Sequence, residues 1–415
     1  MKRTIAILLA LMMVLGLSAC GGSTTESAAP ESAAPESTAP ESTAPEAKDI
    51  TVGIVCIGDE NDQGYTYNFM RGVDDVTTKL AAEGINVTWI PKYNIGEDSG
   101  CEDACIELAD EGCSIVICNS YGHEPFMLKV APDYPEVQFI ACTNLNSTFD
   151  DLDNTHNAFA NIYEGRYLSG IVAGMKMQEM IDNGTITEDQ AIIGYVGAYA
   201  YSEVVSGFTA FYLGARSVCP SATMKVQYVS SWSNPTAEAN AAQALIDQGA
   251  VIISQHSDNT TPATTAQQNG VYSCGYNNDM ISVAPDASLI SCRIDWSIYF
   301  EYAIKAVVNG ESFAQDWTAG MADGAVVLTD LNETIAAPGT AEKLAEVEAG
   351  LADGSIHVFA GPWTGTGTAY GASAPDTKTV PEGEYFKESD VADGQTSAPY
   401  FYWIIDGITE LNTGF

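Results

Sequence analysis

Asp62, Tyr65 and Thr66 stand together in Asp59-Glu60-Asn61-Asp62-Gln63-Gly64-Tyr65-Thr66-Tyr67, directly after an apolar run at 50–57. The arrangement recurs along the chain. Asn119-Ser120-Tyr121-Gly122-His123 follows a run at 114–118, and Tyr199-Ala200-Tyr201 follows one at 191–196. Ser231-Trp232-Ser233-Asn234 follows 224–229, and Gln255-His256-Ser257-Asp258 follows 251–254. Tyr276-Asn277-Asn278-Asp279 follows 271–275, and Asp295-Trp296 follows 289–293. Rings offer flat faces for stacking, while carboxylates and amides offer acceptors and donors for ring edges or vicinal hydroxyls. This is the chemistry of recognition. The candidate ligand contacts are Asp62, Tyr65, Thr66, Tyr121, Tyr199, Trp232, Asp258, Asn277, Asp279 and Trp296. Asn, Asp, Ser and Gly are also ordinary turn formers, so the recurrence carries the argument rather than any one residue.

Bond-making motifs are missing. There is no G-x-S-x-G elbow, no H-E-x-x-H and no G-x-x-x-x-G-K-[ST]. The glycines of 365–371 have one residue too many for a dinucleotide fingerprint. His123, His156, His256 and His357 are far apart, with no ligand spacing. Cys101 and Cys105 lie one helical turn apart with Cys113 nearby, but no zinc signature is present and the cysteines read as buried thiols. Neither an enzyme, nor a cofactor, nor a metal is expected.

The elements that must position these loops alternate. Apolar strand-like runs near 50–57, 87–90, 114–118 and 137–142 are separated by helical patterns, and the alternation restarts after a long helix at 163–181. Helices at 203–215, 236–248 and 296–308 lie among strands at 191–196, 224–229, 251–254, 271–275 and 289–293. The last hundred residues alternate less cleanly and end in a strand at 400–405. Such a chain folds as α/β, with two doubly wound parallel-sheet lobes. The first lobe takes 50–160 with part of 290–365, and the second 161–289 with part of 366–415. In open parallel sheets, ligands sit beyond the carboxyl ends of the strands, where the polar and aromatic loops fall.

The start of the chain has other work. Lys2 and Arg3 precede an apolar run at 5–17, then Leu17-Ser18-Ala19-Cys20. That run is too short to span a bilayer and fits a signal peptide at 1–19. The sequence before Cys20 resembles a lipobox, which makes Cys20 the lipidated first residue of the mature chain. Residues 20–49 then form a tether of Glu-Ser-Ala-Ala-Pro and Glu-Ser-Thr-Ala-Pro repeats, whose prolines preclude helix. The expected location is the outer face of the cytoplasmic membrane, lipid-anchored. Of 415 residues, 16 are basic and 55 acidic, a net charge of −39. This repels a nucleic-acid backbone, so no nucleic-acid partner is expected.

Several longer stretches make the sequence resemble the basic membrane protein family, lipoprotein receptors of ABC importers with the type 1 periplasmic-binding-protein fold. They are Tyr-Glu-Gly-Arg-Tyr-Leu-Ser-Gly-Ile-Val-Ala-Gly at 163–174, Ile-Gly-Tyr-Val-Gly-Ala at 193–198 and Phe-Tyr-Leu-Gly-Ala-Arg at 211–216. Ala-Leu-Ile-Asp-Gln-Gly at 244–249, Gln-His-Ser-Asp at 255–258 and Gly-Tyr-Asn-Asn-Asp at 275–279 continue the series. The resemblance implies two lobes joined by a hinge that close over one purine base or purine nucleoside, and a monomer that delivers it to an ABC permease. It places Asp62, Tyr65 and Thr66 on the cleft, with Trp232 and Asp258 opposite. A sugar or polyol receptor of the same fold, or a ligand sensor, is the alternative.

Overall fold

The computed structural model describes residues 47–148, 151–368, 376–389, 391 and 396–413. The signal peptide at 1–19, Cys20 and nearly all of the tether lie outside the described residues, as does the Gly371 end of the glycine-rich stretch.

Strands and helices alternate through β1 (Lys48–Val55), α1 (Tyr65–Ala82), β2 (Ile85–Lys92), α2 (Ser99–Asp110), β3 (Ile115–Cys118), α3 (Glu124–Val130), β4 (Gln138–Ala141) and β5 (Thr155–Ala158). The second series runs α4 (Ile162–Asp182), β6 (Ile192–Gly197), α5 (Ser202–Val218), β7 (Thr223–Tyr228), α6 (Pro235–Asp247), β8 (Ile252–His256), α7 (Thr261–Gln268), β9 (Tyr272–Tyr276) and β10 (Ser288–Ile294). Then come α8 (Trp296–Asn309), β11 (Asp316–Trp317), β12 (Val326–Leu328), α9 (Thr340–Asp353), β13 (Trp363–Gly367), β14 (Thr377–Val380), β15 (Trp403–Ile405) and β16 (Ile408–Glu410).

The first sheet has the order β11-β5-β4-β3-β1-β2, all parallel. The second has β12-β10-β9-β8-β6-β7-β16, parallel except for the antiparallel β10–β12 pair. Strand order reverses beside β1/β3 in one sheet and β6/β8 in the other. The loops leaving these strands therefore flank a natural crevice. The chain passes between the sheets three times: after β5, after β10 and between β11 and β12. A small antiparallel sheet, β14-β13-β15, stands beside them.

Some elements depart from the sequence reading for identifiable reasons. β1 begins at Lys48, two residues early, because the Lys48 N–H pairs with the Gly84 carbonyl and extends the ladder to β2. β5 is a fully buried Thr-His-Asn-Ala strand with no apolar pattern. Its polar groups are satisfied inside: His156 is bonded to the Ala314 carbonyl and Gln138, and Asn157 donates to Asp316 and Ser397. The strand read as the last one starts at Trp403 rather than at 400, and β16 follows it at Ile408–Glu410.

The glycines of the 163–174 and 211–216 stretches acquire a reason in the crossing of α4 and α5. A Cβ on Gly170 would stand 2.0 Å from the Phe211 carbonyl oxygen, and one on Gly214 would stand 2.0 Å from that of Tyr167. Only glycine lets the two backbones touch there. The contact seats the C-terminal half of α5 on α4; the first turn of the same helix carries Glu203.

Candidate functional site

A narrow cavity with about 20 Å³ of free space lies between the strand ends of the two sheets, lined by Ile57, Tyr65, Asn119, Ser120, Tyr121 and Cys142 on one side and Glu203, Trp232, His256, Asp258 and Tyr276 on the other.

On the first side the cap of α1 sets the geometry. The Asp62 carboxylate accepts from the backbone N–H groups of Gly64, Thr66 and Tyr67 at 2.8–3.1 Å, which satisfies the open first turn of the helix. Tyr65 is thereby held at the cavity wall, and its hydroxyl donates to the Cys142 carbonyl at 3.1 Å. Asn119 accepts from the Ile57 N–H through Oδ1, while its Nδ2 is buried without a partner. That is a free donor at the wall. Glu97 gathers three donors on one oxygen: Ser120 Oγ, the Gly122 N–H and Trp232 Nε1. The last ties the two sides together across the mouth.

On the second side, His256 Nε2 lies 3.1 Å from Glu203 Oε1. Burial and the nearby Arg166 guanidinium push the imidazole pKa down. Arg166 itself is wholly buried, 3.4 Å above the Tyr276 ring, and donates to the Gln255 carbonyl. The Tyr276 hydroxyl has no partner. Asp258 is another perturbed wall group. Burial raises its carboxyl pKa well above the usual range, the charges of Asp62, Glu238 and Glu203 add to this, and the Tyr65 backbone N–H offsets part of it. The Cys142 thiol is likewise pushed up by burial, which keeps it protonated and poorly nucleophilic.

Tyr121 stacks on Tyr201 at 5.0 Å, Tyr201 on Tyr199 at 4.9 Å, and Tyr199 meets Trp232 edge-on at 5.3 Å. These rings form a continuous aromatic rim. The wall thus offers flat apolar faces, two carboxyl groups, one free amide donor and no lysine or arginine.

Of the sequence candidates, the structure brings Tyr65, Tyr121, Trp232 and Asp258 together at the cavity. Asp62 and Tyr199 face a wider opening beside it, with Asp59, Asn94 and Glu97. Thr66 is fully buried and packs by Gly58 and Asp62 rather than lining the cavity. Three candidates stand elsewhere. Asn277 is fully buried away from the wall, its carbonyl accepting from Arg71. Asp279 caps the short turn at 280–282 through the Ile281 N–H and faces a separate surface depression. Trp296 opens α8, which turns back onto α1, so its ring lies in the core 4.8 Å from Phe69 and is fully buried. Asn119, Glu203, His256 and Tyr276 were passed over in the sequence. The first, third and fourth sit in the loops singled out there. Glu203 sits on the first turn of a helix and carries no local signal.

Behind α5, one turn after Glu203, Ser206 donates to the buried Glu388 carboxylate, which also accepts from the Tyr400 and Phe401 N–H groups. Burial pushes the Glu388 pKa up from 4.5 to about 7. A carboxyl with a raised folded-state pKa holds its proton while the unfolded chain gives it up. Its contribution is full below pH 4.5 and is lost as pH rises through 7. Glu388→Gln keeps the hydrogen bonds, so its melting profile between pH 5 and 8 is expected to be flatter than that of the parent, by a few degrees. A parallel profile in calorimetry would refute this.

Two layered α/β sheets with a polar and aromatic cavity between their strand ends define a solute-binding protein of the periplasmic-binding-protein fold. An ABC-transporter solute-binding protein of Aeropyrum pernix superposes with a TM-score of 0.62 at 17% identity, over 75% of this chain and 94% of that one. Residues 50–353 match the Bmp family, the PnrA-like ABC-transporter substrate-binding proteins, and the chain belongs to that family. It is 32% identical to a purine-binding protein of Brucella abortus over 84% of this chain and 89% of that protein. It is 31% identical to a putative ABC-transporter glucose-binding protein of Haloferax volcanii over 61% of each. The family is extracytoplasmic, and its members bind small molecules and deliver them to a permease. Among the described residues no helix is long and apolar enough to cross a membrane.

Proposed function

We propose that the cavity captures a purine base or purine nucleoside for delivery to an ABC permease. The observation that carries this reading is the combination of flat rings (Tyr65, Tyr121, Trp232, Tyr276) with hydrogen-bonding groups at their edges (Asp258, Glu203 and the free Asn119 amide). A planar heterocycle with N–H donors and ring acceptors fits that set. The purine-binding relative supports it. The acidic wall without a cation disfavours phosphorylated ligands, so a nucleotide is the wrong substrate. In this reading Tyr65, Tyr121 and Trp232 enclose the ring and Asp258 accepts its N–H groups. Asp62, Thr66 and Tyr199 support the wall from behind and from the mouth. No covalent step takes place. The lobe limits given above, the lipid anchor on Cys20, a monomeric state and placement on the outer face of the membrane belong to the same proposal.

A thermal-shift screen of the protein against purines, purine nucleosides, AMP and glucose tests it. A ligand that binds only the folded state adds about 2.7 kcal/mol at a hundredfold excess over its Kd. The midpoint is expected to rise with a purine or its nucleoside and to stay put with AMP and glucose. A rise with glucose and none with purines would replace the reading by a sugar receptor, the binding named for the Haloferax relative.

A further inference from the structure

Away from the cavity wall, the fold gathers three thiols. Cys101 and Cys105 lie a turn apart on α2, and Cys118 ends β3; the Sγ atoms all lie within 4.8 Å of one another and all three residues are fully buried. Cys105 Sγ and Cys118 Sγ are 3.6 Å apart. Cys113, the neighbour that sequence spacing suggested, is not in the cluster. The strand supplies Cys118 in its place, which is why no linear signature announces the site. Sulfurs bound tetrahedrally at ~2.3 Å to one ion stand ~3.8 Å apart, so the thiols are close to that spacing before any ion arrives.

The turn that follows β3 closes over the thiols. The His123 carbonyl lies 3.6 Å from Cys101 Sγ. The His123 ring is fully buried, with Nε2 on the Ile95 carbonyl at 3.0 Å and Nδ1 without a partner.

We propose that Cys101, Cys105 and Cys118 form a binding site for one thiophilic cation of the Zn²⁺ class. Three thiolates leave one net negative charge around a dication and two around a monocation. In a dry site this favours Zn²⁺ over Cu⁺. Uptake releases the thiol protons to solvent and involves no oxidation. The ion has a structural task. Cys118 is followed directly by Asn119, Ser120 and Tyr121, so an ion here ties α2 to the loop that forms one cavity wall. The proposal does not depend on which ligand that cavity takes.

The test uses the full chain, kept reduced and stripped with a chelator, then titrated with Co²⁺ and with Zn²⁺. One equivalent of Co²⁺ is expected to give a thiolate-to-cobalt charge-transfer band that Zn²⁺ bleaches, and one equivalent of Zn²⁺ to raise the melting midpoint. Cys105→Ser should lose the band and the shift, and Cys113→Ser should keep both. Should Cys105→Ser fail to fold, Cys101→Ala serves in its place, and proton release on Zn²⁺ uptake by the parent gives an independent readout. No band in the parent, a band that survives loss of Cys105 or Cys101, or a Cys105–Cys118 disulfide formed without metal uptake would overturn the proposal.

Discussion

Gly64→Ala is expected to weaken purine binding by at least a hundredfold. Gly64 precedes α1, beside the first sheet, and its backbone rests on the backbone of Asp258, which follows β8 of the second. An added Cβ would stand 2.5 Å from the Asp258 Cα and carbonyl carbon and 2.7 Å from its oxygen. Real Cβ atoms do not approach so closely, and the atoms struck are main chain, so no side-chain rotation relieves the overlap. The clash exists only while the two sets of strand-end loops are together. Moving them apart removes it, but this also separates Tyr65 from Asp258, breaks the Trp232–Glu97 hydrogen bond and opens the rim. The substitution therefore acts on the closed form alone. A hundredfold loss corresponds to ~2.7 kcal/mol, a modest charge for such an overlap. Calorimetric titration with the purine identified by the screen measures it. An affinity within threefold of the parent would mean that the Gly64–Asp258 contact is not part of the liganded form.

Much of the scaffold was legible in the sequence because its strands are apolar runs between amphipathic helices. The Ile- and Val-rich β1 and β3 announce themselves, and so do the glycines after α6 and α8. β5 did not, since its burial rests on internal hydrogen bonds of His156 and Asn157 that no local pattern reveals. β11 and β12 have two and three residues and exist only through their partners. The site was legible in outline for a related reason. Strand-end loops must contribute to the crevice, so Tyr65, Tyr121, Trp232 and Asp258 follow from position in the alternation. Selecting within each loop was not possible from residue type. Trp296 and Trp232 both follow a strand closely, yet one is core and the other wall. The difference lies in where the chain goes next: α8 crosses back to pack Trp296 and Phe300 on Phe69. Glu203 becomes a wall residue only through the α4–α5 crossing that Gly170 and Gly214 allow, a contact between distant segments.

Asp258→Asn is expected to lower purine affinity by about a hundredfold and to remove its dependence on pH. The argument starts from the raised pKa. Fully buried, and facing Asp62, Glu238 and Glu203, the Asp258 carboxyl of the ligand-free protein holds its proton far above the usual carboxylate range. A ligand that presents N–H groups to it stabilises the ionised form and pulls the pKa down. Binding then releases a proton, so affinity rises with pH by up to ~tenfold per unit until the free carboxyl ionises. Burial makes the carboxylate bond to such donors strong, because charged hydrogen bonds gain when water is excluded. An amide presents one acceptor and two unwanted donors to the same ligand edge, and cannot ionise. Titrations in buffers of different ionisation enthalpy should show a proton released by the parent and none by Asp258→Asn. The opposite chemistry, in which the neutral acid donates to a ring nitrogen, predicts no proton release, affinity that is flat at low pH and falls as pH rises, and a variant whose amide N–H substitutes well. Near-parental affinity in Asp258→Asn would therefore sink the carboxylate reading and turn the assignment of the ligand edge from N–H donors to ring acceptors.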